Sequence, residues 1–535
     1  MRFDKRSCVR FVVATGFVAS VVSGIGVPPV HAQTMPSTSA AGQAPVRRMS
    51  IDDAVATALE QNLDLQVQRI NPQLRDLDTS VFRTNYTPTF TTTLNLTDNT
   101  QPPTSLLSGS TTGLTTNRST FDFGVNGLTS WFGSSYRVTW NNGRTTSNNV
   151  FTSFDPQLNS SINATFTQPL LRNFKIDGTR QQLLVSQNNK EISDVQLQQA
   201  IAITVRNVKN AYYDLIYAIG NLAVQQQSLE LAEQSLKDNK ARVEIGTMAP
   251  LDIVQAEAEV ATREESVILA EAAIERAQDA VRTLVYSPNA PDFWTARIEP
   301  TETVTFVPTN VDTEAAVQNA LRERADVQVA KKNLESNDVN IRYFRNQSLP
   351  DLNASVTYGA QAVGGTQLVR GPGSGFTPGA VIGTLEKSYF STVGTAFAGD
   401  FPGWTLAVDI AYPIGKSSSE AQLTRARLQN TQAERQLASL ELQVSAQVRE
   451  FARQVQTNAK RVDATRSSRV LAERRLEAEE KKYQAGMTSS FFVLQAQRDL
   501  NIARNGELLA LVEYAKSVVN YAAVQQSPLS GGGGF

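Results

Sequence analysis

Two residue types are nearly absent. The 535-residue chain has one cysteine, Cys8, and one histidine, His31. Both fall in the first 32 residues, which read as a secretory signal. Arg2, Lys5, Arg6 and Arg10 precede an apolar run from Phe11 to Val22, and Val30-His31-Ala32 is a small-residue cleavage site. A mature chain would have no thiolate, imidazole, disulfide or His/Cys metal site, so the expectation is a protein that is not an enzyme and has no cofactor and no metal. Cys8 precedes the apolar run, where it is badly placed to carry a lipid anchor.

Long apolar runs are also missing. After the signal no stretch of about 18 apolar residues occurs, so a spanning helix is not available and a membrane crossing would have to be a β-barrel. A charge excess is lacking as well. Removing four basic residues and Asp4 with the signal leaves 46 basic and 50 acidic side chains, and no basic stripe with interleaved aromatics suggests nucleic acid.

What is present is a repeated turn between helical patterns. Lys482-Tyr483-Gln484-Ala485-Gly486 is followed by MTSSFFVLQAQRDL, and Arg242-Val243-Glu244-Ile245-Gly246 by TMAPLDIVQAEAEV. At an offset of 240, Gly246 matches Gly486, Gln255 matches Gln495 and Ala256 matches Ala496. Each glycine suits a helix C-cap needing positive φ, and Pro250 suits the first turn of the next helix. On one side of the first turn, Ile201, Val205, Val208, Tyr212, Leu215, Ile219, Leu222, Leu229 and Leu236 step by threes and fours, with Gln226 in one register position. On the other, Ile253, Val260, Val267, Ile274 and Val281 recur every seven. This predicts an antiparallel coiled-coil hairpin over 178–286, whose first helix of roughly 68 residues is about 100 Å long. The second hairpin, 416–523, has a seam of Leu437, Leu440, Val444, Val448, Phe451, Val455, Val462, Leu476 and Tyr483.

Between helices the composition changes. Residues 84–170 carry six charged side chains in 87 positions, against 25 in 109 over 178–286. TFTTTLNLT (89–97), FDFGVNGLT (121–129), SYRVTW (135–140) and SINATFTQ (161–168) alternate apolar with small polar residues, which reads as barrel strands, with a secreted β-sandwich or a polar low-complexity loop as the alternatives. A second set lies near 352–360 and 404–412, separated by a Gly-rich excursion in which 364–376 reads as a surface loop. Before the strands the halves match at an offset of 262: Val55 with Val317, Leu59 with Leu321, Asp64 with Asp326 and Pro88 with Pro350. The fall from 262 to 240 makes the first excursion 22 residues longer, about one hairpin, assigned to 121–140.

The expected layout is a signal (1–32), a flexible leading segment (33–48), repeat 1 (49–286) with a helix ending at Asn71-Pro72 and a second from Pro72, a connector (287–310) with a strand over 297–307, repeat 2 (311–525) and a disordered tail (526–535). Four to six strands per chain cannot close a barrel. Open edges in lipid leave unpaired backbone groups, so copies must pool their strands.

These features resemble the TolC-like outer-membrane efflux proteins. The helix–strand–strand–helix duplication, the Gly246 and Gly486 turns with LDIVQAEAEV and FFVLQAQRDL, and VRNVKNAYYDL at 205–215 carry the resemblance over about 50–525. It implies a mixed α/β membrane protein built from an internal two-fold repeat: a long antiparallel coiled-coil α-barrel plus a transmembrane β-barrel of twelve strands shared by a homotrimer. It also implies an outer-membrane location with a periplasmic helical extension. The expected partners are a periplasmic adaptor protein, an inner-membrane transporter and outer-membrane lipid. The function implied is passive export of small molecules in a tripartite efflux system. Type I protein secretion and a non-conducting trimeric tether or adhesin are the alternatives.

Counted from the turn glycines, Asp252 and Tyr483 fall where the family links its inner and outer hairpins at the periplasmic tip. They read equally well as a helix-start acid and a seam tyrosine. Where members carry acidic ring residues and a linking arginine after the second glycine, this chain has Thr488, Phe492 and Gln495. Phe492 is then a candidate apolar constriction, and of the adjacent Phe491 and Phe492 one is expected to pack as core.

Overall fold

A computed structural model describes residues 46–102, 113–246, 248–288, 293–373, 378–415 and 417–528. The signal segment and the last seven residues lie outside them. The duplication appears as matched elements. Helices α1 (Ile51–Gln61) and α2 (Leu63–Thr84) correspond to α5 (Thr313–Glu323) and α6 (Ala325–Gln347). Long helices α3 (Gly178–Glu244) and α8 (Ser418–Gln484) are both 67 residues, and each turns into a shorter partner, α4 (Pro250–Val285) or α9 (Ser490–Val524). At 1.5 Å per residue the long pair reaches about 100 Å.

Each seam is apolar where heptad spacing places branched side chains. Val208, Tyr212 and Leu215 of α3 bury with Ile274, Val281 and Val285 of α4. Val455 and Val462 of α8 bury with Ala510 and Tyr514 of α9, and Leu476 with Val493, Ala496 and Leu500. Toward the tip α3 buries a second, polar stripe, against the other hairpin. Gln225 is buried and Gln226 exposed, and Ser228, Ala232 and Asn239 follow it inward.

Between helices the chain enters a sheet. Its strands are β2 (Thr89–Gln101), β3 (Leu114–Leu128), β4 (Ser135–Ser147), β5 (Phe154–Pro169), β7 (Asp351–Arg370), β8 (Val381–Lys387) and β9 (Pro402–Ala411). All neighbours are antiparallel, in the order β2-β3-β4-β5-β7. Beside β7, β9 covers Asp351–Ala360 and β8 covers Gly365–Arg370, so the two share one strand column. The extra length of the first excursion is the β3–β4 hairpin. Its strands extend beyond 121–140, with a turn closed by Thr129 N–H to the Ser134 carbonyl at 2.8 Å.

Several expectations need correcting. The first helix breaks at Asn62, not at Pro72, because Asn62 caps α2 by accepting from Leu65 N–H at 3.0 Å and donates to the Leu284 carbonyl at 2.9 Å. Pro72 lies inside α2. The leading segment is not flexible through 48: β1 (Val46–Met49) pairs in parallel with β6 (Arg297–Pro300), and the 297–307 strand ends at Pro300. Met49 anchors this ribbon, its carbonyl accepting from the buried Tyr212 hydroxyl at 3.0 Å. Residues 364–370 continue β7 instead of forming a loop. Of the expected tail, Ser527 is buried and the Gln526 carbonyl accepts from Ala325 N–H at 3.1 Å.

Candidate conduit wall and helical tip

The sheet has two chemically distinct faces, because directly opposed residues in antiparallel pairs share a side. One cross-sheet row reads Phe90, Val125, Val138, Ala164, Tyr358, Trp404. The next row reads Thr91, Gly124, Thr139, Asn163, Gly359, Gly403, and the one after it Thr92, Phe123, Trp140, Ile162, Ala360, Pro402. The apolar face stays exposed in a single chain: Leu94, Leu96, Trp404, Leu406 and Ile410 are all uncovered. From the Leu352 row to the Ala362 row, ten residues span roughly 33 Å of strand, or about 25 Å of height at a barrel's tilt, which is the thickness of an outer-membrane apolar belt. The opposite face carries Thr, Asn, Ser, Asp and Arg and suits water.

Helix α7 (Tyr389–Ala398), missed in the sequence, leaves the last strand column between β8 and β9 and lies on the apolar face. Its Ser388 cap and Gly399 at φ +75° were the available signals. Tyr389 packs on Phe121 and donates its hydroxyl to Asn142 Oδ1 at 3.1 Å, and Phe397 meets Trp140 edge-on. The helix thereby covers a polar chain on an otherwise apolar surface: Trp140 Nε1–H donates to Ser160 Oγ, which donates to Asn142 Oδ1, both at 3.0 Å.

At the far end both glycines adopt the left-handed conformation, φ +76° at Gly246 and +73° at Gly486. Nothing lies near either one, so the backbone angle and not space calls for glycine. Gly486 N–H bonds the Tyr483 carbonyl and Met487 N–H the Lys482 carbonyl, a Schellman closure that satisfies the last carbonyls of α8. Ala256 and Ala496, matched by the repeat, are both buried.

The two hairpins touch through polar groups. Tyr483 of α8 donates its hydroxyl to Asn239 Oδ1 of α3 at 3.0 Å, and the Arg242 guanidinium lies 4.3 Å from its ring centre. Burial pushes the Tyr483 phenol up, against the pull of Arg242. Asp252 of α4 instead accepts from Ser490 Oγ of α9 at 3.3 Å, so within one copy Tyr483 and Asp252 serve separate contacts. Gln495 donates to Asp499 on its own helix at 2.9 Å. Phe491 and Phe492 are 49% and 51% exposed, so neither is core within one copy.

The tightest cross-hairpin contact was not picked out in the sequence. Glu259 of α4, 5% exposed, holds Arg263 at 2.6 Å and Arg498 of α9 through Nε at 3.0 Å. Burial raises its pKa as the largest single cause, but the two guanidiniums outweigh it and leave the carboxyl below its ordinary range. Above it, Ser235–Gln497, Gln225–Asn501, Gln227–Arg504 and Asp214–Lys516 link α3 to α9. The family resemblance implied that the two hairpins meet at the tip, but not through these residues.

An edge-open sheet with an apolar belt and a polar reverse, joined to long helical hairpins, defines the class: a subunit of an outer-membrane channel with a periplasmic helical extension. The outer membrane efflux protein model matches residues 132–285 and 316–524, and the chain belongs to that family. No curated relative matches. Among solved structures, the Campylobacter jejuni CmeC outer membrane channel is similar at 14% identity and TM-score 0.63, over 89% of this chain and 85% of that one. Vibrio cholerae VceC aligns at 14% and 0.60 over 89% and 96%, and the open state of Neisseria gonorrhoeae MtrE at 16% and 0.59 over 89% of each. The shared fold is a helical barrel continued by a β-barrel to which copies of the chain contribute.

Proposed function

We propose that three copies form the passive exit duct of a tripartite efflux system and release small molecules from the periplasm to the exterior. A periplasmic adaptor protein and an inner-membrane transporter engage the helical tip and supply the energy. The observation that carries this reading is the polar sheet face continuing into hairpins held to each other by separable polar contacts. An apolar interface would be permanent, whereas hydrogen bonds and ion pairs exchange with water at modest net cost. The tip residues Gly246, Asp252, Tyr483, Gly486, Phe492 and Gln495 shape and close the aperture. Glu259 with Arg498 joins them as a clamp.

The test is mass determination and planar-bilayer conductance of the purified detergent complex, with drug and detergent sensitivity of a strain lacking the gene. A conducting trimer and a sensitised strain are expected. A monomer, or a trimer silent even with the clamp removed, overturns the duct. A strain that loses a secreted protein but not drug resistance replaces efflux by type I secretion.

A further inference from the structure

We propose that the shared barrel has eighteen strands, with the free edge of β2 in one copy pairing with the β9–β8 edge of the next. This rests on the outer-membrane duct reading and departs from the twelve strands that the family resemblance implied.

The sheet presents six columns, β2, β3, β4, β5, β7 and the shared β8/β9 column, each antiparallel to its neighbour. The end columns therefore run in opposite directions, and a second copy continues the alternation without a parallel join. Three copies give an even, all-antiparallel set. The end strands β2 and β9 are also the ones exposed along nearly their whole length, as strands awaiting partners are.

The extra hairpin is wall and not plug. β3 and β4 pair with each other and with β2 and β5 without a register shift. They carry the same alternation as β7: Phe121, Phe123, Val125, Val138 and Trp140 on the belt side, Asp122, Thr139 and Asn141 on the other. A plug would be polar on both faces.

Dimensions agree. For strands about 4.8 Å apart tilted about 40°, eighteen give a backbone diameter of roughly 36 Å and a perimeter of roughly 113 Å, against roughly 24 Å and 75 Å for twelve. Next to the sheet each copy packs α2, α3, α6 and α8. Twelve such helices about 10 Å apart have a perimeter of roughly 120 Å, close to that of the wider barrel. The narrowest passage then lies at the tip. Pairing between copies must also join even-numbered residues of β2 (Phe90, Leu94, Leu96) to even-numbered residues of β9 (Trp404, Leu406, Val408), since any other register turns a belt inward.

The experiment is spin labelling of single-cysteine variants of the full chain in bilayers, comparing collision with oxygen and with a water-soluble nickel chelate. Phe123→Cys and Val138→Cys should favour oxygen several-fold over nickel, Asp122→Cys and Thr139→Cys the reverse, with Val356→Cys and Thr357→Cys as the β7 reference. If β7 alternates while all four hairpin sites meet nickel, the eighteen-stranded wall is overturned and the duct stands. If β7 does not alternate either, the membrane reading itself fails. Should labels block assembly, a cryo-electron-microscopy cross-section of the unmodified trimer decides by counting eighteen strands or twelve.

Discussion

Two helix interfaces in this molecule are built from different chemistry. Within a hairpin, α3 meets α4 through Val208, Leu215, Ile274 and Val281, all apolar and buried. Between hairpins, α3 and α4 meet α9 mainly through Asn, Gln, Ser, Lys and the Glu259–Arg498 pair, with Leu508 against Gly220 as an apolar exception. Apolar burial is non-directional and lost only on separation, so each hairpin behaves as one stiff lever. A polar interface gains little net energy and finds water as a ready substitute. If the hairpins move against each other, the α9 boundary is where the motion is expected.

Substitutions can break either side of this contrast. The largest effect is expected from Leu215→Ala, which leaves a cavity in the α3–α4 seam and costs about 3 kcal/mol. It should lower the thermal midpoint of the trimer while leaving closed-state conductance near wild type. Glu259→Gln should do the opposite. It removes the carboxylate facing both Arg263 and Arg498, costs about 2 kcal/mol at the tip, and raises open probability in bilayers with a small change in melting. The same group sets a pH expectation. Its folded pKa is depressed, so its contribution is fully present above the unfolded value of 4.5 and is lost as pH falls through the lower folded value. Conductance should therefore stay low from neutral pH down to about 4.5 and rise only below it, and Glu259→Gln should abolish that rise.

Tyr483→Phe sits lower in the order. The ring remains on Arg242 while the bond to Asn239 is lost, for about 1 kcal/mol and a modest gain in conductance. The smallest contrast separates Phe492→Ala from Gln495→Ala. Phe492 is half exposed near the turn while Gln495 is bonded along its own helix, so Phe492→Ala should raise conductance more. Equal and negligible changes would leave Phe492 as packing alone.

Much of the wall and tip was legible because it is local. The αL glycines at 246 and 486, Pro250 at a helix start and the period-two alternation of 89–97 or 161–168 each depend on a few neighbouring residues. The seams were legible down to Leu222, where heptad spacing and burial agree, but the polar stripe from Gln225 to Asn239 was not, because its partners Asn501 and Tyr483 lie on the other hairpin. The break at Asn62 was only partly local, since beside its cap on Leu65 it is held by a bond to Leu284, some 222 residues away. Helix α7 was hidden because its Tyr, Phe, Thr, Val and Gly residues are weak helix formers, and Asn142 and Trp140 supply the surface it covers.

The sequence by itself determined the duplication, the lengths of the levers, the turns that end them and the two-faced character of the strands, since all of these are written in spacing along one chain. Only the tertiary structure decided which strands stand side by side, that the added hairpin lies within the sheet and that Glu259 finds Arg498. Those facts depend on groups hundreds of residues apart, whose meeting is set by the packing of whole helices and by the register of a sheet, and no local pattern encodes it.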